Sequence, residues 1–436
     1  MNERTASPRT ALVVATTLFF MWGFITVLND VLIPHLKSVF TLNYTQVMLV
    51  QFIFFGAYFI MSLPAGKVIA HVGYRGGIVL GLVATGIGAL LFIPAARWVS
   101  YPLFLSAFFV LASGITLLQV AANPYVCLLG DPRLASSRLN LAQALNSLGT
   151  TIAPALGGAL ILSGAVLGAS ELAALSPTEL LTYRSSQAAL VTGPYVALAA
   201  TLFVLAVVVW LFRLPTLTEA TERADAQHHR FADVLGFRHV RLGVIAIFLY
   251  VGAEVSIGSF LINYLSLPDI GNISEAEAAR YVSLYWGGAM VGRFVGFMLL
   301  RRIEPGRLLG LFALFAALLV GTTMLSEGRI ALWSVVAIGL FNSIMFPNIF
   351  TLGISKMGAM TDKASSLLIM AIVGGAIVPV LQGALADRIG IQHAFVLPLL
   401  CYFYIVYYGF AGARIVDVSK VPGDAAPAGA SRVAGH

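Results

Sequence analysis

From Ala11 to Ile33 the chain runs through an apolar stretch interrupted by a single charged residue, Asp30. Runs of this kind recur along the 436 residues, each about 20 residues or longer, enough for a helix to cross the hydrocarbon core of a bilayer. In lipid every backbone N–H and C=O needs an internal partner, which leaves helices or a closed barrel. Barrel strands alternate polar and apolar residues over about ten positions. These runs are apolar throughout, so they predict helices. Composition points the same way. Hydrophobic residues make up 59% and charged residues 10%, against about 25% charged in a soluble domain. That is too little charge to cover a water-facing surface of this size.

The pattern predicts twelve helices, near 11–33, 45–70, 76–96, 101–130, 138–163, 189–213, 238–266, 277–302, 305–325, 329–355, 361–386 and 393–412. The first is too long for the core of a cleaved signal peptide and is expected to be retained. A polar stretch separates two sets of six. The expected organisation is an N-terminal half 1–213, a linker 214–237, a C-terminal half 238–413 and a tail 414–436. Cationic side chains set the orientation. With the N-terminus inside, only Lys37, Arg97, Arg184, Arg280, Arg329 and Arg388 of the 26 Lys and Arg fall outside, and Arg293 falls within a helix. Both termini, the linker and the tail are therefore expected in the cytoplasm. The net charge of +7 follows from that topology and asks for no nucleic acid.

An internal repeat is legible. Gly149, Pro154, Gly158, Ala159 and Leu160 recur as Gly374, Pro379, Gly383, Ala384 and Leu385. Pro124 and Gly130 recur as Pro347 and Gly353; Gly23, Ile33 and Leu36 as Gly252, Ile262 and Leu265. Six helices, an even number, separate the copies, so both halves insert the same way. That is the parallel repeat of the major facilitator architecture, with a substrate site near the midplane between the halves. The expected fold class is an all-α integral membrane protein of twelve transmembrane helices in two six-helix halves.

The segments FFMWGFITVLNDVLIPHLK (19–37), LLQVAANPYVCLLG (117–130) and RLNLAQALNSLG (138–149) resemble the fucose–proton symporter family, and within it the glucose/galactose transporter branch. FPNIFTLGI (346–354) and GRFVG (292–296) extend the likeness into the second half. The segment GKVIAHVGYR (66–75) departs from the general signature of the superfamily, with Ala70 where an acidic residue is expected. The resemblance implies cation-coupled uptake of a hexose, glucose and/or galactose, across a bacterial inner membrane. It also implies that Asp30 is the coupling carboxylate and that Gln143 and Asn146 contact sugar. Gln119 stands where the fucose symporters carry Glu, which removes one titratable group from the proton route.

The residues themselves allow the same chemistry. A carboxylate in a membrane helix is costly and asks for a reason. Protonation or sodium binding at Asp30 would neutralise it and let the loaded carrier reorient; a headgroup-solvated helix end is the plainer account. Asn29, Thr26 and Asn123 could complete a sodium site with Asp30 through oxygen ligands. Glu254, the second intramembrane acid, could serve coupling or simply join helices. Arg293 could pair with a carboxylate at a gate, or snorkel. Sugar recognition needs planar amides for paired hydroxyls. Gln143 and Asn146 share one helix face, Gln119 and Asn123 share another, and Asn342 adds a third helix. Each alone is as well read as interhelical glue. Trp22 could stack on a sugar ring or pack against neighbours. The mid-helix prolines Pro124, Pro154, Pro347 and Pro379 free backbone carbonyls.

No phosphate loop, protease signature or metal-binding spacing appears. Cys127 and Cys401 lie in apolar runs, and the seven histidines do not cluster. The expectation is thus a non-enzymatic carrier without cofactor, coupled to proton or sodium, acting on a small sugar in the lipid bilayer as a monomer. A fucose or N-acetylglucosamine symporter and a proton-coupled drug antiporter are the alternatives of the same fold.

Overall fold

A computed structural model describes residues 8–40, 44–161, 175–211, 230–273 and 275–415. Most of the expected linker and nearly all of the tail lie outside the described residues. Among the described residues, α1 (Pro8–Phe40), α2 (Tyr44–Arg97), α3 (Tyr101–Leu128), α4 (Ala135–Ile161), α5 (Pro177–Ala189) and α6 (Thr192–Leu211) form the first half. The second half holds α7 (Arg238–Leu265), α8 (Glu275–Leu299), α9 (Pro305–Leu325), α10 (Gly328–Asn342), α11 (Met345–Gly353), α12 (Thr361–Met370), α13 (Gly374–Ile389) and α14 (Val396–Tyr407).

Among the described residues nine helices are long and apolar enough to cross a membrane, and Leu12–Leu28 in α1 is a shorter apolar stretch. One of the nine, Phe52–Arg97, runs for 46 residues, about 70 Å if straight, more than twice a hydrocarbon core. It is broken at Gly73, whose φ of 73° and ψ of 173° no helix contains, so it carries two passes. With α1 and α4, the count of twelve crossings expected from the sequence is reached.

Several boundaries differ from the sequence reading, among them the expected helix 361–386, which is divided at Ala371–Val373. Between 70 and 76 the helices join directly across the Gly73 kink, where a loop was expected. The expected helix 329–355 is interrupted at Ser343–Ile344. Pro347 lacks an N–H for the carbonyl of Ser343, and its ring crowds that carbonyl, so the hydrogen-bond ladder is broken here. Ahead of α6, residues 177–189 are helical, started by a capping box in which Ser176 and Glu179 exchange side-chain and backbone bonds.

The repeat becomes a packing rule in three dimensions. α1 crosses α4, and α7 crosses α13, with glycine at each crossing. A Cβ at Gly23 would strike the Asn146 backbone, and one at Gly149 the carbonyl of Phe20. A Cβ at Gly374 would strike the carbonyl of Phe248, and one at Gly252 the side chain of Val378. Gly77 and Gly81 serve α2 in the same way, meeting Ala121 and the backbone of Leu118 on α3. Valine at Gly149 or Gly374 is expected to cost about 1–3 kcal/mol through overpacking. Gly321, with open space around it, should accept alanine without loss. Thermal unfolding in detergent compares the three; equal midpoints would mean the crossings tolerate separation.

The two halves meet along two further pairs, α4 against α8 and α2 against α12. These four helices line the seam, and they carry Gln143, Asn146 and Arg293 of the expected site residues.

Candidate functional site: a polar seam between two six-helix halves

Cross-half hydrogen bonds gather along the first turns of α4. The hydroxyls of Ser136 and Thr351 lie 2.6 Å apart. Ser137 donates to the carbonyl of Phe297 at 2.8 Å. Asn140 Nδ2 donates to Asn348 Oδ1 at 3.0 Å. Higher on α4, Arg293 donates to the Ser147 hydroxyl. On the other side of the seam, Ser365 donates to the carbonyl of Val120 at 3.0 Å. Apart from the one from Arg293, these cross-half contacts are hydrogen bonds between neutral groups, each modest in energy.

The repeated prolines free two carbonyl acceptors, one of them across the seam. Pro124 cannot bond the carbonyl four residues back, Val120, and that carbonyl accepts from Ser365. Pro347 leaves the Ser343 carbonyl free in the same way, and Arg293 Nε donates to it at 3.2 Å. Each helix defect thus creates a backbone acceptor at membrane depth, filled by a side chain.

In the first half one of the expected amides, Gln119, meets a tyrosine. The hydroxyl of Tyr58 on α2 meets the amide of Gln119 on α3 at 2.6 Å. The indole of Trp22 on α1 lies within hydrogen-bonding reach of the same hydroxyl and packs its ring against Phe19 at 5.3 Å. Gln119 is 1% exposed and Asn123 0%, yet Gln119 Oε1 and both amide atoms of Asn123 have no hydrogen-bond partner. Gln143, 4% exposed, also leaves its Nε2 without one. Unpartnered buried amides on packed helices are costly. Asn146 differs: its Nδ2 donates to the carbonyl of Phe19 at 2.9 Å, tying α4 to α1. Asp30 is on α1, but its side chain lies outside the described residues.

In the second half Asn342 is engaged at both ends of its amide. It donates to the Tyr285 hydroxyl at 2.7 Å and accepts from Tyr402 at 2.6 Å, while its carbonyl accepts from Tyr250 at 3.0 Å. It is the hub joining α7, α8, α10 and α14. Beside it, Glu254 lies within hydrogen-bonding reach of Tyr250 and feels the charge of Arg293, and its Oε1 has no partner. Arg293 therefore stands between the carboxylate of Glu254 and the seam hydroxyl of Ser147.

Sequence patterning missed Tyr58, Tyr250 and Tyr402. A tyrosine in a membrane helix reads as packing, and only the partner across the bundle reveals its hydroxyl's task. The seam residues Ser136 and Ser137 were missed for the same reason.

This arrangement, two repeated six-helix halves around a polar seam, defines a carrier fold. The profile of the Major Facilitator Superfamily matches residues 12–371, and the chain belongs to that family. It is 52% identical over 404 residues to a glucose/galactose transporter of Brucella abortus, covering 93% of this chain and 94% of that one. It is 36% identical over 398 residues to the L-fucose-proton symporter of Escherichia coli, covering 90% of each. A solved structure of a Major Facilitator Superfamily transporter, FucP, in the outward conformation superposes with a TM-score of 0.84 at 35% identity, over 91% of this chain and 97% of that one. The chain is a multi-pass membrane transporter and not an enzyme.

Proposed function

We propose that this transporter takes up a hexose, glucose and/or galactose, in symport with a cation by alternating access. The full-length likeness to a protein named as a glucose/galactose transporter carries the reading, and the buried unpartnered amides of Gln119, Asn123 and Gln143 are the matching chemistry. Asn146 sets the α1–α4 crossing beside them. Trp22 supplies an aromatic edge to the same cluster.

The cation acts at Asp30, with Glu254 as a second carboxylate on the opposite half. The relative named as a proton symporter supports a proton; sodium at Asp30, held with Thr26 and Asn123, is the other choice. The halves 1–213 and 238–413 rock about the seam, with 214–237 and 414–436 in the cytoplasm. The hydrogen-bonded end of the seam then faces inward, in keeping with the likeness to an outward conformation. One chain holds both halves, so a monomer suffices.

The test is uptake of radiolabelled glucose and galactose into proteoliposomes. An inward sodium gradient at equal pH and an inward proton gradient without sodium are imposed in turn. Accumulation is expected under one gradient and lost in Asp30→Asn, which names the ion. No uptake of either sugar under either gradient would overturn the reading.

A further inference from the structure

Resting on the sugar reading above, we propose that Tyr58 is a positioning residue. It turns the Gln119 amide so that its N–H donors, and not its carbonyl, face the sugar.

The argument is a count of protons. Tyr58 is 3% exposed, and its hydroxyl is met by Gln119 at 2.6 Å with the indole of Trp22 within hydrogen-bonding reach. An indole N–H only donates, so Tyr58 oxygen must accept from Trp22. The phenol has one proton of its own to give. If Gln119 also presented an N–H to Tyr58, that proton would meet only donors, and the buried Gln119 carbonyl would have no partner, as its Oε1 has none in that orientation. Turning the amide end for end cures both faults. Tyr58 then donates to Gln119 Oε1 while Trp22 donates to Tyr58. The two ends of an amide fill the same volume, so hydrogen-bond balance alone decides between them.

The turn leaves the Gln119 amino group as the unpartnered end. It lies one helical turn from Asn123, whose amide is unpartnered on both atoms, and on a helix packed against the one that carries Gln143, whose Nε2 is unpartnered too. A cluster biased toward N–H donors takes ligand oxygens as acceptors. One hydroxyl of the sugar is therefore read as an acceptor, and its own proton is not used there.

Fluorine at a sugar carbon accepts but cannot donate; hydrogen does neither. Competition of labelled glucose uptake by the deoxy and deoxyfluoro analogues of glucose at each carbon distinguishes the two. At one carbon the deoxy sugar is expected to compete at least about tenfold more weakly than glucose, because a polar site rejects an analogue that leaves its groups unpaired. The fluoro sugar at that carbon should stay within about threefold. In Tyr58→Phe the amide is free to turn, and the gap between fluoro and deoxy analogues should close. Trp22→Phe removes the donor that sets the orientation and should close it too, which keeps the test available if Tyr58→Phe does not fold. A merely structural role would lower uptake of all sugars alike and leave the gap intact. The proposal is overturned if fluoro and deoxy analogues compete equally poorly at every carbon, or if the gap survives both substitutions. Failure of glucose and galactose themselves to be taken up would instead sink the sugar reading.

Discussion

With cysteine at both Ser136 and Thr351, in a chain whose own Cys127 and Cys401 are alanine, oxidation is expected to reduce uptake to background and a thiol reductant to restore it. The two hydroxyls touch tip to tip at 2.6 Å across the halves. Two thiols in their place lie within bonding reach, and a disulfide forms only where the backbones already allow its narrow geometry. Alternating access requires α4 and α11 to part at this end. The native contact is a neutral hydrogen bond worth about 1 kcal/mol, which thermal motion and the neighbouring bonds of Ser137 and Asn140 can remake in each cycle. A covalent bond cannot be remade that way. The cross-link is followed by the accelerated gel mobility of the oxidised chain, and uptake is measured on the same sample. Full uptake through a verified cross-link would show that this end of the seam stays shut during transport, and the inward face would then have to open elsewhere.

How much of this could be read beforehand differs between scaffold and site. The apolar runs set the helices, because hydrocarbon tolerates no unpaired backbone and side-chain character alone decides what spans. The glycine repeat was legible as a topology of two parallel halves; that Gly149 and Gly374 sit where backbones touch emerges only from the packing. The Gly73 kink was hidden because a glycine between two apolar runs reads as a loop; whether the chain bends or stops there depends on what packs against it. The amides Gln119, Asn123 and Gln143 were visible as polar residues in apolar segments. Their hydrogen bonds were not, because pairing is decided by helices distant in sequence. Tyr58 and Gln119 are 61 positions apart, and Arg293 and Ser147 are 146 apart. Asn342 and Asn146 looked like Gln119 in sequence. Only packing shows that their amides hold tyrosines and a backbone carbonyl.

Arg293→Gln is expected to destabilise the protein by about 3 kcal/mol, at the low end of the range for breaking a buried charge pair because Arg293 and Glu254 interact without direct contact. Three groups depend on the guanidinium: the Ser343 carbonyl that Pro347 has freed, the Ser147 hydroxyl of the other half, and the Glu254 carboxylate that feels its charge. Glutamine is too short and uncharged to serve all three. The carboxylate is the costly one, since an uncompensated charge at membrane depth has neither water nor a partner. Removing that charge as well should recover most of the loss. Glu254→Gln in the Arg293→Gln background is expected to be more stable than Arg293→Gln alone, a non-additivity that two independent sites would not show. Glu254→Gln alone should cost less than Arg293→Gln, because the Arg293 cation left without its counter-charge keeps its bonds to Ser343 and Ser147. Thermal unfolding of the four proteins in detergent measures the coupling. Uptake separates structure from transport: the double variant should be folded yet accumulate little sugar, because the bond from Arg293 to Ser147 that joins the halves is gone. Additive losses in the four midpoints would mean that Glu254 and Arg293 do not sense one another. Arg293 would then act at the seam through Ser147 and Ser343 alone.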